Sequence, residues 1–177
     1  MGLFTWFFIT ACTENLEQVT KETQSPPTTL IQTKPTMPNE SAPDWIGEVV
    51  NVHDLVEGDC FNQYSWTNDD RLIEIDTKVN CNGPHQKEIY KRLEHPASTG
   101  APWPGDQEMN NYATINCYQA FEKFVGKIYE LSELEIDFLT PNQTNFEDEL
   151  AQFRGIHCYV YFQDNKETVG SAKSSAR

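Results

Sequence analysis

A histidine and a glutamate form the clearest pair of chemically capable side chains in this sequence. His85 and Glu88 stand three residues apart, just after Cys81 and Pro84. Such a pair could act as a base with its orienting partner, or as two ligands. The plainer interpretation is a buried histidine that hydrogen-bonds to Glu88 or to the backbone. We favour it because no nucleophile stands nearby in sequence, and we keep His85 and Glu88 as candidate binding residues.

Other signatures of catalysis and metal binding are missing from the sequence. It contains no Gly-x-Ser-x-Gly nucleophile elbow, no glycine-rich phosphate loop and no Asp-x-Asp-x-Asp-Gly calcium loop. His53, His95 and His157 have no local partner at a metal-ligand spacing. The acidic residues 147–149 are expected at the start of a helix, where carboxylates complement the dipole. We therefore expect no metal, no cofactor and no catalytic residue.

Four cysteines after residue 44 are expected to form two disulfides. Cys60, Cys81, Cys117 and Cys158 lie 21, 36 and 41 residues apart, without the close pairs that zinc sites use. Four cysteines allow three pairings. We favour Cys60–Cys81 with Cys117–Cys158, since this pairing links neighbouring elements. Disulfides persist in oxidising compartments, so they fit an exported protein.

The strands and helices that must position these residues alternate along the chain without the regular order of βαβ units. Alternation of apolar residues predicts strands at 72–80 and 134–138, and a β-prone run predicts another at 156–162. A helix is predicted to be capped by Asp106 and to end at Gly126. The pattern indicates an α+β fold with an antiparallel sheet, one main helix and one short helix, stapled by two disulfides.

Four further segments are predicted less directly. We expect strands at 54–62 and 168–172, the short acidic helix at 146–153 and a frayed tail at 174–177. Residues 85–93 fit either a strand or a short helix.

The N-terminal 43 residues have a different composition from the rest. Four of the 21 aromatic residues lie in 1–11, none in 12–44 and 17 in 45–177. Residues 1–12 are predicted to be a lipoprotein signal peptide whose lipobox ends at Cys12, the lipidation site. The Thr- and Pro-rich residues 13–43 are predicted to be a disordered tether. The domain is then 44–177, held on the extracytoplasmic face of the cell membrane by its lipid.

Charge excludes one class of partner. Lys plus Arg number 13 and Asp plus Glu 27, which gives a formal net charge of −14. A protein that neutralises nucleic-acid phosphates needs clustered Lys and Arg, so we expect no nucleic-acid partner.

A spaced set of motifs resembles the septum formation-related domain of actinobacterial exported proteins and lipoproteins. The resemblance covers about residues 50–175. The motifs are Gly58-Asp59-Cys60-Phe61, Cys81 with Pro84-His85 and Glu88, Pro104-Gly105 before the helix of Cys117, Arg154 before Cys158, and Gly170-Ser171. It implies an envelope protein connected with division in some members, and no established chemistry.

Three function classes remain open at this stage. We favour a membrane-tethered binding or scaffold module of the bacterial cell envelope, with Trp103 as a further candidate binding residue and an envelope protein or glycan as partner. Exposed aromatic side chains are usual anchors for such partners. The domain is rich in aromatic residues, including Trp66, Tyr159 and Tyr161, and some of them are expected to face outward, while core packing is the better interpretation of each one taken singly. The alternatives are a small envelope hydrolase that uses His85 with Glu88, and a disulfide domain with an inhibitor-like or sensor role.

Overall fold

The computed structural model describes residues 41–177. The predicted signal peptide with Cys12 lies outside the described residues, and so does the predicted tether except for residues 41–43. No helix within 41–177 has the length and apolar character that a membrane span requires.

Six strands and two α-helices form within residues 41–177. In chain order they are β1 (Glu48–Val50), β2 (Cys60–Asn68), β3 (Arg71–Val79), β4 (Lys87–Glu94), α1 (Asp106–Val125), β5 (Leu134–Leu139), α2 (Gln143–Glu147) and β6 (Gly155–Phe162). Short 3₁₀ turns lie at Val52–Asp54, Tyr129–Leu131 and Gln163–Asn165.

The strands make one antiparallel sheet in the order β1-β3-β2-β4-β6-β5. The α+β prediction is confirmed, as is the pairing of Cys60 with Cys81 and of Cys117 with Cys158. Their Cα atoms lie 5.3 Å and 5.5 Å apart, which is the ordinary separation across a disulfide.

One half of the molecule, which we call the packed half, consists of α1 with β4, β6 and β5. Residues four apart put Met109, Ala113, Cys117, Phe121 and Val125 on one buried stripe of α1. This stripe faces the buried side chains of β4, β5 and β6, and the Cys117–Cys158 bridge crosses from helix to sheet within the core.

The other half, which we call the arm, consists of β1 with residues 62–77 of the β2–β3 hairpin. β2 pairs with β3 over nine residues but with β4 only at Cys60 and Phe61, so the hairpin extends beyond the packed half. The hairpin turns at Asp69 and Asp70, whose φ angles of 48° and 60° suit a tight turn between twisted strands. The Cys60–Cys81 bridge lies at its base.

Three predicted boundaries are wrong for local reasons. β2 begins at Cys60 and not at 54, because 52–54 form a 3₁₀ turn and Asp59 Oδ2 accepts from Val56 N, which closes the next turn. Gly105, and not Asp106, is the cap residue of α1. The short helix is Gln143–Glu147, since Asn142 caps it, and the acidic residues 147–149 lie at its end.

The C-terminal segment also departs from its prediction. The strand expected at 168–172 is a single bridge between Thr168 and His85. The tail is not frayed: Ser174 N and Ala176 N donate to the carbonyls of Phe124 and Val125 at the end of α1. Long-range backbone bonds therefore satisfy carbonyls that a helix end leaves open.

Candidate functional site

His85 lies in the loop between β3 and β4, and its side chain is fully buried. Its backbone exchanges two hydrogen bonds with Thr168, which fixes the loop. Nδ1 lies 2.9 Å from the carbonyl oxygen of Gly83 and donates to it, because a carbonyl can only accept. Nε2 has no partner among the described residues. The ring therefore holds the turn in place and does not pair with Glu88.

Glu88 is buried as well, at 2% exposure. Ser171 Oγ and Ala172 N each donate to its carboxylate over 2.6 Å. A carboxyl group that accepts from two donors in a segment 83 and 84 residues away fixes that segment to the sheet. Glu88 is thus the anchor of the C-terminal segment.

Little free space exists around this pair. The cavity that both residues line measures about 10 Å³, which is about enough for one water molecule. A substrate group cannot enter it, so the hydrolase alternative has no support in the geometry. A binding role for His85 or Glu88 stays a prediction.

Three potential metal ligands also meet at this place. Within residues 41–177, Cys60, Cys81 and Glu88 form the group of three potential ligands whose atoms lie within 4.8 Å of one another. Both sulfurs belong to the disulfide, so no thiolate is free to bind a metal.

Trp103 lies before α1 and packs on α2. Its backbone N–H donates to Glu147 Oε1 over 2.8 Å, which lowers the pKa of that carboxyl. Its ring meets Phe146 edge-on at 5.1 Å between centroids, and the Arg154 guanidinium covers Phe146 at 3.5 Å. The indole therefore helps to fix α2, and its binding role also stays a prediction.

An aromatic surface lies on the arm. It is on the same side of the sheet as α1, but α1 covers that side only in the packed half. Trp45 stacks on Trp66 with 6.4 Å between ring centroids, and 45% of Trp45 remains exposed. Ile46 and Val49 beside them are 68% and 53% exposed. Gly47 permits the close approach of this segment, because a Cβ there would lie 2.5 Å from the Lys78 carbonyl oxygen. We call these four side chains the aromatic surface.

A polar cluster occupies the opposite face of the sheet. Lys87 Nζ donates to Gln63 Oε1 over 2.8 Å and lies 4.8 Å from the centre of the Tyr159 ring, whose hydroxyl donates to Asp137. Burial lowers the pKa of Lys87 and raises that of Asp76. Strand register brings these groups together, so of this cluster only Tyr159 could be singled out from the sequence. The alternation of polar residues along the strands indicates the others only when the strand pairing is known.

His157 lies on the same face, near the start of β6. It is 1% exposed, and no hydrogen bond of good geometry reaches either ring nitrogen from the described residues, although the backbone of His53 and of Leu55 lies close enough to favour the protonated ring weakly. Burial, with the nearby charge of Arg92, lowers its pKa to about 4, so the ring is neutral at pH 7. The His53 ring lies against it at 5.7 Å.

These features define an α+β domain with two disulfides. Its candidate pair, His85 and Glu88, forms hydrogen bonds that hold the loop before β4 and the C-terminal segment in place. The sequence profile of the Septum formation family matches residues 57–177, and the chain belongs to this family. The resemblance of the motifs to the septum formation-related domain is confirmed. No curated protein and no solved structure matches the chain.

Proposed function

We propose that this protein is a membrane-tethered extracytoplasmic binding module that holds a protein partner of the cell envelope during septum formation. Membership of the Septum formation family supports the link to the septum. Two disulfides fit an oxidising compartment outside the cytoplasm. The lipobox pattern that ends at Cys12 supports the tether.

The observation that carries the binding role is the aromatic surface. Paired Trp rings with exposed apolar neighbours are typical anchors of protein interfaces, since they bury a large area at little loss of side-chain entropy. Trp66 lies on the hairpin whose base Cys60–Cys81 closes, and the segment of Trp45, Ile46 and Val49 is joined to that hairpin by the pairing of β1 with β3, so strand pairing and the disulfide hold the four side chains together. His85 and Glu88, by contrast, are turned inward.

The test is complementation of a deletion strain by the full chain. Trp45→Ala with Trp66→Ala is expected to give a folded protein that fails to restore normal septa, while Ile115→Ala, which removes an equally exposed apolar side chain on α1, restores them. Normal septa in the deletion strain itself, or full rescue by the double tryptophan variant, would overturn the proposal.

The tether has a separate test. Cys12→Ala is expected to release the protein from the membrane fraction or to leave its signal peptide uncleaved. Unchanged fractionation, together with no acylated cysteine in mass spectrometry of the wild type, would remove the lipid anchor from the proposal while leaving the binding role intact.

A further inference from the structure

A cleft lies on the packed half, between the last turns of α1, the irregular point of β4 and the C-terminal segment. Its volume is about 310 Å³, the size of a small-ligand site. Lys91, Lys123 and Lys173 reach it from β4, α1 and the C-terminal segment. It is distinct from the aromatic surface and lies wholly within the residues that the family profile matches.

The charge of this cleft is opposite to that of the domain around it. Residues 44–177 contain 11 Lys and Arg against 23 Asp and Glu. The cleft is lined by three lysines and one carboxylate, that of Glu57. A second cavity of about 330 Å³, near α2, has Glu147 and Glu149 with Arg154 instead. Clustering of lysines in so acidic a chain makes the cleft a local positive site.

Glu57 neutralises one of the three lysines. Lys91 Nζ donates to Glu57 Oε1 over 2.6 Å, and Arg92 N donates to the same oxygen over 3.2 Å. These two bonds hold the carboxylate at the rim beside Lys91 and lower its pKa. Lys173 also lies near enough to Glu57 to lower that pKa, but one carboxylate balances only one of three lysines, so the lining keeps two positive charges in excess.

Lys173 is held in place through the anchor that Glu88 provides. Its backbone N–H donates to Ser171 Oγ over 3.0 Å, and that hydroxyl donates to Glu88. The buried carboxylate thus sets where the Lys173 side chain leaves the fold. The carbonyl of Phe124, at the helix end nearby, accepts from Ser174 N, so a hydrogen bond already occupies it.

The walls between the lysines are apolar. Tyr90 is 1% exposed and its hydroxyl donates to the Cys117 carbonyl over 2.7 Å, so that hydroxyl is already occupied within the core. Phe124 and Ala120 line the other side. A positive rim over an apolar floor suits a ligand that has an anionic group on a small organic unit.

We propose that this cleft binds a phosphate or carboxylate group carried by a small organic unit, with Lys123 and Lys173 as the residues that recognise the charge. Lysine binds such groups as a point charge, without the fixed geometry of arginine. Both envelope polymers and free metabolites carry phosphate or carboxylate groups, and the cleft would bind the anionic group that they share.

The experiment titrates the full chain, with Cys12→Ala to prevent lipidation, and follows backbone NMR shifts. The probes are glycerol phosphate, glucuronate and a short glycerol-phosphate oligomer, with neutral glycerol as the control. We expect saturable shifts around residues 91, 123 and 173 with at least one anionic probe, weaker at high salt, and none with glycerol. Tighter binding of the oligomer than of the monomer identifies a polymer as the source; equal binding identifies a free metabolite.

Two variants decide whether the cleft is responsible. Lys123→Gln with Lys173→Gln is expected to weaken binding roughly tenfold, since each lysine contributes like an exposed ion pair. Lys127→Gln removes the same charge from the chain just beyond α1 but outside the cleft, and is expected to change the affinity less than twofold. Equal weakening by all of these changes, or no saturable shift with any anion, would overturn the proposal.

Discussion

The packed half and the arm are built from the same sheet but are stabilised differently. In the packed half, one stripe of α1 is buried against three strands and Cys117–Cys158 crosses the core. In the arm, β2 and β3 pair mainly with each other, and side chains such as Trp45 and Val49 stay about half exposed. Segments with few buried contacts open at low free-energy cost. The difference indicates that the packed half provides most of the stability and that the arm presents exposed side chains.

The largest expected effect comes from removing the core disulfide. Cys117→Ala with Cys158→Ala opens a 41-residue loop in the unfolded state, which costs about 4 kcal/mol, and it also leaves a gap between buried residues. We expect the midpoint of thermal unfolding to fall by roughly 15 °C. Circular dichroism of the non-reduced proteins measures this.

The matched control is the bridge at the base of the arm. Cys60→Ala with Cys81→Ala opens a 21-residue loop, at about 3 kcal/mol, and Cys81 is only half-buried. Hydrogen exchange in this variant should rise in β2 and β3 more than in α1. A greater loss of stability here than in the core variant would reverse the roles assigned to the two halves.

Acid should act first on the packed half. The pKa of His157 is about 4 when folded and about 6.5 when unfolded, so the unfolded chain binds the extra proton. The stabilising contribution is complete above pH 6.5 and is lost as the pH falls toward 4. Between pH 6.5 and 5 we expect a loss of about 2 kcal/mol, measured by urea unfolding.

His157→Leu should remove most of this loss, because the buried imidazole that takes up the proton is replaced by an apolar side chain that does not titrate. Burial also lowers the pKa of His95, so this histidine contributes in the same direction. Part of the pH dependence of stability should therefore remain in His157→Leu. Asp76→Asn is the control in the arm: burial raises that carboxyl's pKa, so its contribution has the opposite sign. An unchanged slope in His157→Leu would contradict the assignment.

His85→Ala separates a structural residue from a functional one. The change removes the bond to the Gly83 carbonyl and leaves that partly buried oxygen unsatisfied, at about 1–3 kcal/mol. We expect a lower unfolding midpoint in urea and rescued septa once the protein is expressed at a permissive temperature. His85→Asn, which keeps a donor near the Nδ1 position, should recover part of the stability.

A stable His85→Ala protein that fails to restore septa would place His85 in a functional site after all. That outcome would weaken the contrast between the halves, since it would put function inside the packed half.

Much of this fold could be predicted from local patterns. Alternation marks β3 and β5 well, and the stripe of α1 with Gly126 at its end marks the helix. The disulfide pairing followed from links between neighbouring elements. These features depend on residues close in sequence, which propensity and periodicity describe.

The sites could be predicted less well, because they depend on distant pairings. Glu88 was a candidate, yet its partners lie 83 and 84 residues away. The lysine cleft combines side chains from four separate segments, and the polar cluster depends on strand register. Trp45 was missed as well, since its stack with Trp66 depends on how residues 45–47 cross β3.

The smallest expected effect on stability tests the arm directly. Trp45→Ala should cost about 1 kcal/mol of unfolding free energy, because nearly half of the residue is already exposed and the stack with Trp66 is its main contact. Trp103→Ala, the matched change in the packed half, should cost about 2 kcal/mol, since that ring packs on the fully buried Phe146. Urea unfolding followed by circular dichroism measures both. If Trp45→Ala is as destabilising as Trp103→Ala, the tryptophan stack stabilises the fold, and this result would contradict the proposal that the aromatic surface serves to bind a partner.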